Sequence, residues 1–358
     1  MNMVELRQVS KQYGNVTALS TIDLAVSEGE FVTLLGPSGS GKTTLLNLIA
    51  GMIGPSSGRI FIKGEDVTES PPSQRKLGMV FQNYALMPHM TIFENIAFPL
   101  RVRHVPKAEI EQRVHDVLKL IKLPDIGKRK PKELSGGQQQ RVSLARCIVY
   151  NPALILLDEP LGALDKKLRE QMQLEIRRIH AELGITMLNV THDQDEALTM
   201  SDRIVLMNEG RIEQIAPPEQ LYFRPDTVFA ADFIGTANLI RGTVGSIGDG
   251  FITVSTPHGS LRSIRPNTAL QSGAAVTLVI RPESIRFVDH GHSDAGQQIL
   301  TGKMSDSIVL GSVVKHHIQL NESQQIILLE PNRRDRPVVP RGASVNIGWS
   351  LEDTQTLI

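Results

Sequence analysis

Residues 34–44, Leu-Leu-Gly-Pro-Ser-Gly-Ser-Gly-Lys-Thr-Thr, limit the possible folds more than any other stretch of the chain. Gly36, Gly41, Lys42 and Thr43 satisfy the phosphate-loop pattern G-x-x-x-x-G-K-[ST]. Phe31–Leu35 ahead of the loop predicts a buried strand, and Thr44–Ala50 behind it predicts a helix. Glycines 36, 39 and 41 let the backbone wrap closely around a phosphate with no Cβ in the way. The free N–H groups at the helix start then point at that anion. Lys42 is placed to reach the β- and γ-phosphates, and the Thr43 hydroxyl to hold Mg²⁺. The plainer alternative is a glycine-rich turn. An eight-residue match in the correct strand–loop–helix setting favours a nucleotide site.

With 358 residues the chain is too long for one ordinary core, so two domains are expected. Basic and acidic residues balance at 38 each, and neither side of residue 235 carries the basic excess of a nucleic-acid binder. The single cysteine, Cys147, excludes an internal disulfide and a cysteine zinc cluster. The beginning, Met-Asn-Met-Val-Glu-Leu-Arg, has no apolar run of the kind found in a signal peptide. No stretch approaches the ~20 apolar residues of a membrane-spanning helix. A role at a membrane would therefore go through a partner.

Val4–Arg7 and Thr21–Val26 alternate like half-buried strands. Tyr13 lies between them, and its ring suits either ordinary packing or stacking on a purine base. Gly58–Ile62 and Leu77–Phe81 are two further strands. Gln82 follows the second, as a strand-end cap or as a ligand of Mg²⁺ and the attacking water. Pro88, His89 and Pro99 predict an irregular surface stretch over 83–100, suited to contact with another protein. Pro106 then opens a helix, whose Ile110, Val114, Val117, Leu118 and Ile121 form a core stripe.

Leu134-Ser135-Gly136-Gly137-Gln138 makes a second glycine-rich turn into a helix predicted over 139–149. Ser135 reads as its N-cap, and a helix start with a hydroxyl and bare amides is also a second anion site. Two chains paired head to tail would then sandwich two ATP molecules. Leu154–Leu157 suits a parallel strand buried on both faces, with Asp158 and Glu159 emerging at its carboxyl end, where open α/β sheets bind ligands. Asp158 is placed to hold Mg²⁺ and Glu159 to polarise the attacking water. Leu161–Asp165 connects into a long helix with a stripe of Leu168, Met172, Ile176, Ile179 and Leu183. Thr186–Val190 is another strand, and His192 leaves it at the same sheet edge as Asp158, within reach of a γ-phosphate. Arg203–Met207 and Arg211–Ile215 read as a hairpin.

From Thr236 the pattern changes to short alternating runs: Ile252/Val254, Val276/Leu278/Ile280, Val313–Leu320, Ile326–Leu329 and Val345/Ile347/Trp349. These predict a small barrel or sandwich. It holds no catalytic constellation, and His316 and His317 point to opposite faces of one strand, against a shared metal site.

Taken together the chain resembles an ATP-binding cassette (ABC) transporter ATPase over residues 1–235. Gly36, Pro37, Ser38, Gly39, Ser40, Gly41, Lys42, Thr43 and Thr44 resemble the Walker A loop, Gln82 the Q-loop, and Leu134–Gln138 the LSGGQ signature. Leu154–Glu159 resemble Walker B, Leu161–Asp165 the D-loop, and His192 the switch histidine, while Tyr13 matches the aromatic that stacks on adenine. Gly162 departs from the family, where many members carry Ser. Residues 236–358, with Arg281-Pro282-Glu283, are similar to the C-terminal oligonucleotide-binding-like (TOBE) barrel of importer ATPases.

The resemblance implies an α/β phosphate-loop domain with a helical subdomain over about 85–150, followed by a small all-β domain that stabilises the dimer or regulates. It implies ATP and Mg²⁺ as ligands and a homodimer docked on two integral-membrane permease subunits at the cytoplasmic face of the membrane. Residues 83–99 would dock a permease helix, and solute would arrive from an extracytoplasmic solute-binding protein. Within importers, Met79–Leu86 and Leu161–Arg169 look most like the spermidine/putrescine branch. Ferric-iron, sulfate, phosphonate and sugar importers share much of this. A soluble ABC-type ATPase acting on protein or nucleic acid is the alternative from another class.

Overall fold

The computed structural model describes residues 1–162, 164–265, 269–288, 296–335 and 337–358. The chain forms two compact units, Met1–Leu221 and Tyr222–Ile358.

The first unit opens with strands β1 (Asn2–Tyr13) and β2 (Val16–Ser27), then β3 (Phe31–Leu35), which leads through the glycine loop into helix α1 (Lys42–Ala50). Strands β4 (Ser57–Ile62), β5 (Glu65–Asp66) and β6 (Leu77–Val80) follow. Helices α2 (Ile92–Val102), α3 (Lys107–Leu120) and α4 (Gly136–Ile148) come next, then β7 (Leu154–Asp158) and the long helix α5 (Lys166–Leu183). Strand β8 (Thr186–Thr191), helix α6 (Gln194–Met200) and the hairpin β9 (Arg203–Asn208) and β10 (Arg211–Ala216) complete the unit.

Two sheets result. One is antiparallel, in the order β2-β1-β4-β5, and the other is six-stranded, in the order β10-β9-β3-β8-β7-β6. In the second, β9, β3, β8, β7 and β6 run parallel and β10 is antiparallel at the edge. Its central strands are buried on both faces, and β7 shows how. Leu154 and Leu156 enter the core that contains α1, while Ile155 and Leu157 enter the core that contains α2, α3 and α4. Each of these four side chains contributes about 2 kcal/mol by leaving water. Such a strand has no polar position left along its length, so functional residues can appear only at its ends.

The stretch 83–100 is not irregular throughout. From Ile92 it is helix α2, because Thr91 and Glu94 form a reciprocal capping box, Thr91 Oγ1 accepting from Glu94 N and Glu94 Oε2 from Thr91 N. Ile92, Ile96, Ala97 and Leu100 bury one face. This apolar periodicity outweighs Pro99, which sits inside the helix. Pro106 stands at the N-cap of α3, one residue before its first turn.

The second unit begins within the short helix α7 (Pro218–Phe223) and continues with α8 (Val228–Phe233) and ten strands. These are β11 (Asn238–Ile247), β12 (Phe251–Thr256), β13 (Gly259–Ile264), β14 (Ala275–Ile280) and β15 (Arg286–Phe287). After them come β16 (Gln297–Val309), β17 (Val313–Gln319), β18 (Gln325–Pro331), β19 (Ser344–Ser350) and β20 (Thr354–Leu357). They make two five-stranded antiparallel sheets, β13-β12-β11-β14-β20 and β15-β19-β16-β17-β18. One core joins them: Ile240, Val254 and Leu278 from the first sheet meet Ile318, Leu328 and Trp349 from the second. Asn238 ties the sheets by polar contacts, its Oδ1 accepting from Ile327 N at 2.7 Å and its Nδ2 donating to Ile327 O at 2.8 Å.

Residues 222–235 belong to this unit although the strand pattern starts only at 236. Arg281 explains this. Its buried guanidinium donates to the carbonyls of Tyr222 (2.6 Å), Ala231 (3.0 Å), Ile234 (2.8 Å) and Thr236 (3.2 Å), and it stacks on the Tyr222 ring at 4.2 Å. It thereby collects the unpaired carbonyls at the end of α8. Replacing Arg281 by Ala is expected to destabilise the second unit by about 3 kcal/mol, since four carbonyls, those of Ala231 and Ile234 buried, lose a charged donor. Trp349, the only tryptophan and buried in that unit's core, reports the unfolding midpoint by fluorescence. An unshifted midpoint would refute the role of Arg281.

Candidate active site

The neighbours β3, β8, β7 and β6 end at the same edge of the parallel sheet. Their carboxyl ends deliver, side by side, the glycine loop after Leu35, His192 after Thr191, Asp158 and Glu159, and Gln82 two residues after Val80. The register places Leu35 beside Thr191, Asp158 beside Val190 and Val80 beside Leu157.

The loop 36–41 is folded back on its own lysine. Lys42 Nζ donates to Gly36 O at 2.8 Å and Pro37 O at 2.9 Å, and lies 3.4 Å from Ser40 Oγ. The residue is 6% exposed. Burial lowers its pKa, and the charge of Glu159 partly restores it. A cation held among neutral carbonyls and bare amides favours an anion beside it. Glycine is needed at two positions: a Cβ at Gly36 would lie 2.2 Å from Met207 O, and one at Gly41 2.5 Å from Leu19 Cδ2 and 2.9 Å from Ala18 O. Ser40 is buried, while Thr43 at the first turn of α1 is exposed.

Glu159 occupies the left-handed region with φ 44°, a conformation costing about 1 kcal/mol for an L residue. Its N–H donates to Val190 O at 2.9 Å, which pins the residue to β8. The carboxylate lies between His192 and Gln82. His192 Nδ1 is 3.1 Å from Oε1, and Gln82 Nε2 is 3.5 Å from Oε2. Burial raises the pKa of the neighbouring Asp158, and the Glu159 charge adds to the rise. Ala163 of the following turn lies outside the described residues. At Gly162 a Cβ would meet nothing nearer than Glu159 O at 3.7 Å, so a serine would fit.

Ser135 and Gln138 cap α4 reciprocally, Ser135 N donating to Gln138 Oε1 at 3.0 Å and Gln138 N to Ser135 Oγ at 3.4 Å. A Cβ on Gly136 would sit 3.1 Å from Leu164 Cδ2, and one on Gly137 would sit 2.9 Å from Leu168 Cδ1. The two glycines therefore let the turn after β7 and the first turn of α5 approach the start of α4. Among the described residues, no hydrogen bond or ion pair joins 135–138 to the loop 36–43. Tyr13 ends β1 half-exposed, with the Lys11 ammonium 5.1 Å from its ring centre, so it is not core packing.

Sequence reasoning missed the layer behind His192. Arg169 donates from Nη1 to Asp193 Oδ2 at 2.7 Å and from Nη2 to Leu164 O at 3.1 Å, tying the turn after β7 to the turn after β8. Asp193 N-caps α6, accepting from Glu196 N at 3.1 Å. Glu196 itself is 2% exposed, with Asn189 Nδ2 at 2.9 Å and Thr191 Oγ1 at 3.2 Å. A cavity of about 50 Å³ lies among Glu159, Arg169, His192 and Glu196. Asp193-x-x-Glu196 directly after an apolar strand was the legible signal, as a helix-capping pattern.

Comparison with known proteins accords with this geometry. The ABC transporter family matches residues 19–162, and the TOBE domain family matches residues 278–357. The chain is 46% identical, over 99% of its own length and 93% of the relative's, to the spermidine/putrescine import ATP-binding protein PotA of Thermobifida fusca. It is 44% identical to the protein of that name from Pseudomonas aeruginosa UCBPP-PA14, over 92% of this chain and 91% of the relative. Among solved structures it is similar to the dimeric post-hydrolysis ATP-binding cassette MJ0796 bound to ADP and Pi. That match has 35% identity and TM-score 0.53, covering 60% of this chain and 99% of that one. It is also similar to cbiO1 from Clostridium perfringens, part of the ABC transporter complex cbiONQ, at 28% identity and TM-score 0.58, covering 62% and 90%. The chain belongs to the ABC transporter family, as one of its ATP-binding subunits.

Burial pushes the Glu196 carboxyl up to about 7, against the hydrogen bonds from Asn189 and Thr191. The fold thus favours its neutral form, whose stabilising effect is complete below the ordinary value of 4.5 and is lost as pH rises through about 7. Glu196→Gln, which keeps the shape of the neutral form, is expected to match the native protein near pH 4.5. It should become the more stable of the two as pH rises, by about 3 kcal/mol above pH 7. Parallel stability–pH curves would refute this.

Proposed function

We propose that the protein hydrolyses ATP to drive import of polyamines, spermidine and putrescine, across a cell membrane. The observation that carries the reading is 46% identity along 99% of the chain to a protein named for that task. The grouping of Lys42, Gln82, Glu159 and His192 at one sheet edge supports assigning hydrolysis to them.

On this reading the amides of the loop Gly36–Gly41, with Pro37, Ser38, Gly39 and Ser40 between, cradle the phosphates while Lys42, Thr43 and Thr44 close the helix end. Tyr13 stacks on the adenine. Thr43, Asp158 and Gln82 hold Mg²⁺, which takes few protein oxygens and keeps several waters. That suits a chain with no cluster of three or more His, Cys, Asp or Glu among its described residues. When bound, the ion neutralises charge on the β- and γ-phosphates. Glu159 takes a proton from the attacking water as its oxygen bonds to the γ-phosphorus and the bond to ADP breaks. His192 holds the Glu159 carboxylate and faces the γ-phosphate. The products are ADP, inorganic phosphate and a proton passed from Glu159 to solvent.

Within one chain Ser135, Gly136, Gly137 and Gln138 make no polar contact with loop 36–43, so a second chain brings them to the phosphates. Dimeric cassettes among the similar structures support this pairing. No helix among the described residues is long and apolar enough to cross a membrane. On the likeness to an ATP-binding subunit of a transporter complex, two integral-membrane permease subunits form the path and hold this peripheral subunit at the cytoplasmic face, through residues 83–99. Solute reaches them from an extracytoplasmic binding protein. The balanced charge gives no role to nucleic acid.

Glu159→Gln removes the base and keeps the binding groups. Hydrolysis is expected to fall at least about 100-fold, while ATP drives the variant into a dimer on gel filtration. Wild-type turnover would remove Glu159 from its role. In cells lacking the native protein, the wild-type chain should restore uptake of labelled spermidine and putrescine, and Lys42→Ala should not. Restoration of iron, sulfate, phosphonate or sugar uptake instead would overturn the polyamine reading.

A further inference from the structure

The segment after Gln82 carries two consecutive non-glycine residues in the left-handed region, Tyr84 at φ 57° and Ala85 at φ 48°. A side chain disfavours that region because Cβ crowds the following carbonyl. Such a pair persists only where its surroundings hold it. Helix α4 does so. Ser143 Oγ donates to Tyr84 O at 2.9 Å, and Arg146 forks, Nη2 to Tyr84 O at 2.9 Å and Nη1 to Ala85 O at 2.6 Å. Ser143 is fully buried. Burial lowers the Arg146 pKa, yet a guanidinium stays charged, so both bonds are charge-assisted. Asn95 of α2 fixes the far end, its Oδ1 accepting from Met87 N at 2.8 Å. Gln82, at the near end, is exposed, and among the described residues its side chain has only the 3.5 Å approach to Glu159. Its place is set through the backbone of 83–85.

We propose that Arg146, assisted by Ser143, is a positioning residue for ATP hydrolysis. It holds the Tyr84–Ala85 turn in its left-handed form and so keeps the Gln82 carboxamide against Glu159. Helix α4 thereby links two parts of the site. Ser135 begins it, and Arg146 lies roughly 16 Å further along the same rigid rod. A shift at the Ser135 end moves the turn that carries Gln82. The proposal rests on Gln82 and Glu159 acting in hydrolysis.

The test is steady-state ATPase kinetics of the full chain with Mg²⁺. Arg146→Ala is expected to lower kcat roughly tenfold, the scale set by releasing one strained residue, with KM for ATP within about twofold. Arg146→Lys should lose nearly as much, because lysine lacks the two separate terminal nitrogens that hold the Ala85 and Tyr84 carbonyls here. Ala85→Gly alone gives the reference rate for the double variant. Combined with Arg146→Ala it should recover about threefold or more, since glycine takes a positive φ without a Cβ penalty. A general packing role for Arg146 would show no such rescue. Should Arg146→Ala fail to fold, Ala85→Val puts the strain in directly and should slow kcat by about the same factor. Wild-type kcat in Arg146→Ala or in Ala85→Val, or no rescue by Ala85→Gly, would overturn the proposal. Gln82→Ala separates the layers. If it is slow while Arg146→Ala is fast, only the positioning role falls. If Gln82→Ala is fully active, the reading of Gln82 falls and the proposal with it.

Discussion

Burial of a parallel strand on both faces is the constraint on which the rest of the first unit depends. Leu154–Leu157 cannot carry a polar side chain without an unpaired group in one of two cores. Chemistry is therefore confined to the point where the strand leaves the sheet, and Asp158 and Glu159 stand there. Because β3, β8, β7 and β6 run in the same direction, their carboxyl ends fall together at one sheet edge. The loop around Lys42, His192 and Gln82 need no long-range design beyond strand order to converge. Left-handed φ at Glu159 is the local cost of turning its carboxylate back toward its neighbours.

A second layer fixes the groups that the sheet only assembles. Arg169 spans from Leu164 O to Asp193, so the turns after β7 and β8 move as one. Arg146 does the same for the turn after β6, from a helix that starts at Ser135. In both cases a guanidinium does the bridging, its planar fork putting separate nitrogens on separate acceptors. Arg281 repeats the device in the second unit, gathering carbonyls from Tyr222 to Thr236 onto a motif that also starts a turn. Arginines buried against backbone carbonyls thus fix irregular segments that apolar packing cannot specify.

Periodicity and motif spacing carried much of this into view. The strand–loop–helix around Lys42, the doubly buried strand before Asp158 and the stripe of α3 are local patterns, each set by residues near in sequence. Thr91-x-x-Glu94 was equally local, but the prolines nearby drew attention to breakage, and α2 went unread. In the second unit β12, β14, β17, β18 and β19 were legible from alternating apolar residues. β16 was less so, because its last four residues, Asp306 to Val309, are exposed and break the alternation.

The sequence alone determined which residues are chemically equipped: a lysine behind bare amides, paired acids at a strand end, a serine opening a second helix. Each follows from side-chain type and spacing over a few residues, because helix and strand geometry are local. Only the tertiary structure decided which of them meet. That Glu159 receives His192 and Gln82, and that Arg169 and Arg146 stand behind them, depends on strand order and on contacts across 24–77 positions of chain. No local pattern encodes such contacts, since they arise only when separate apolar faces find one core.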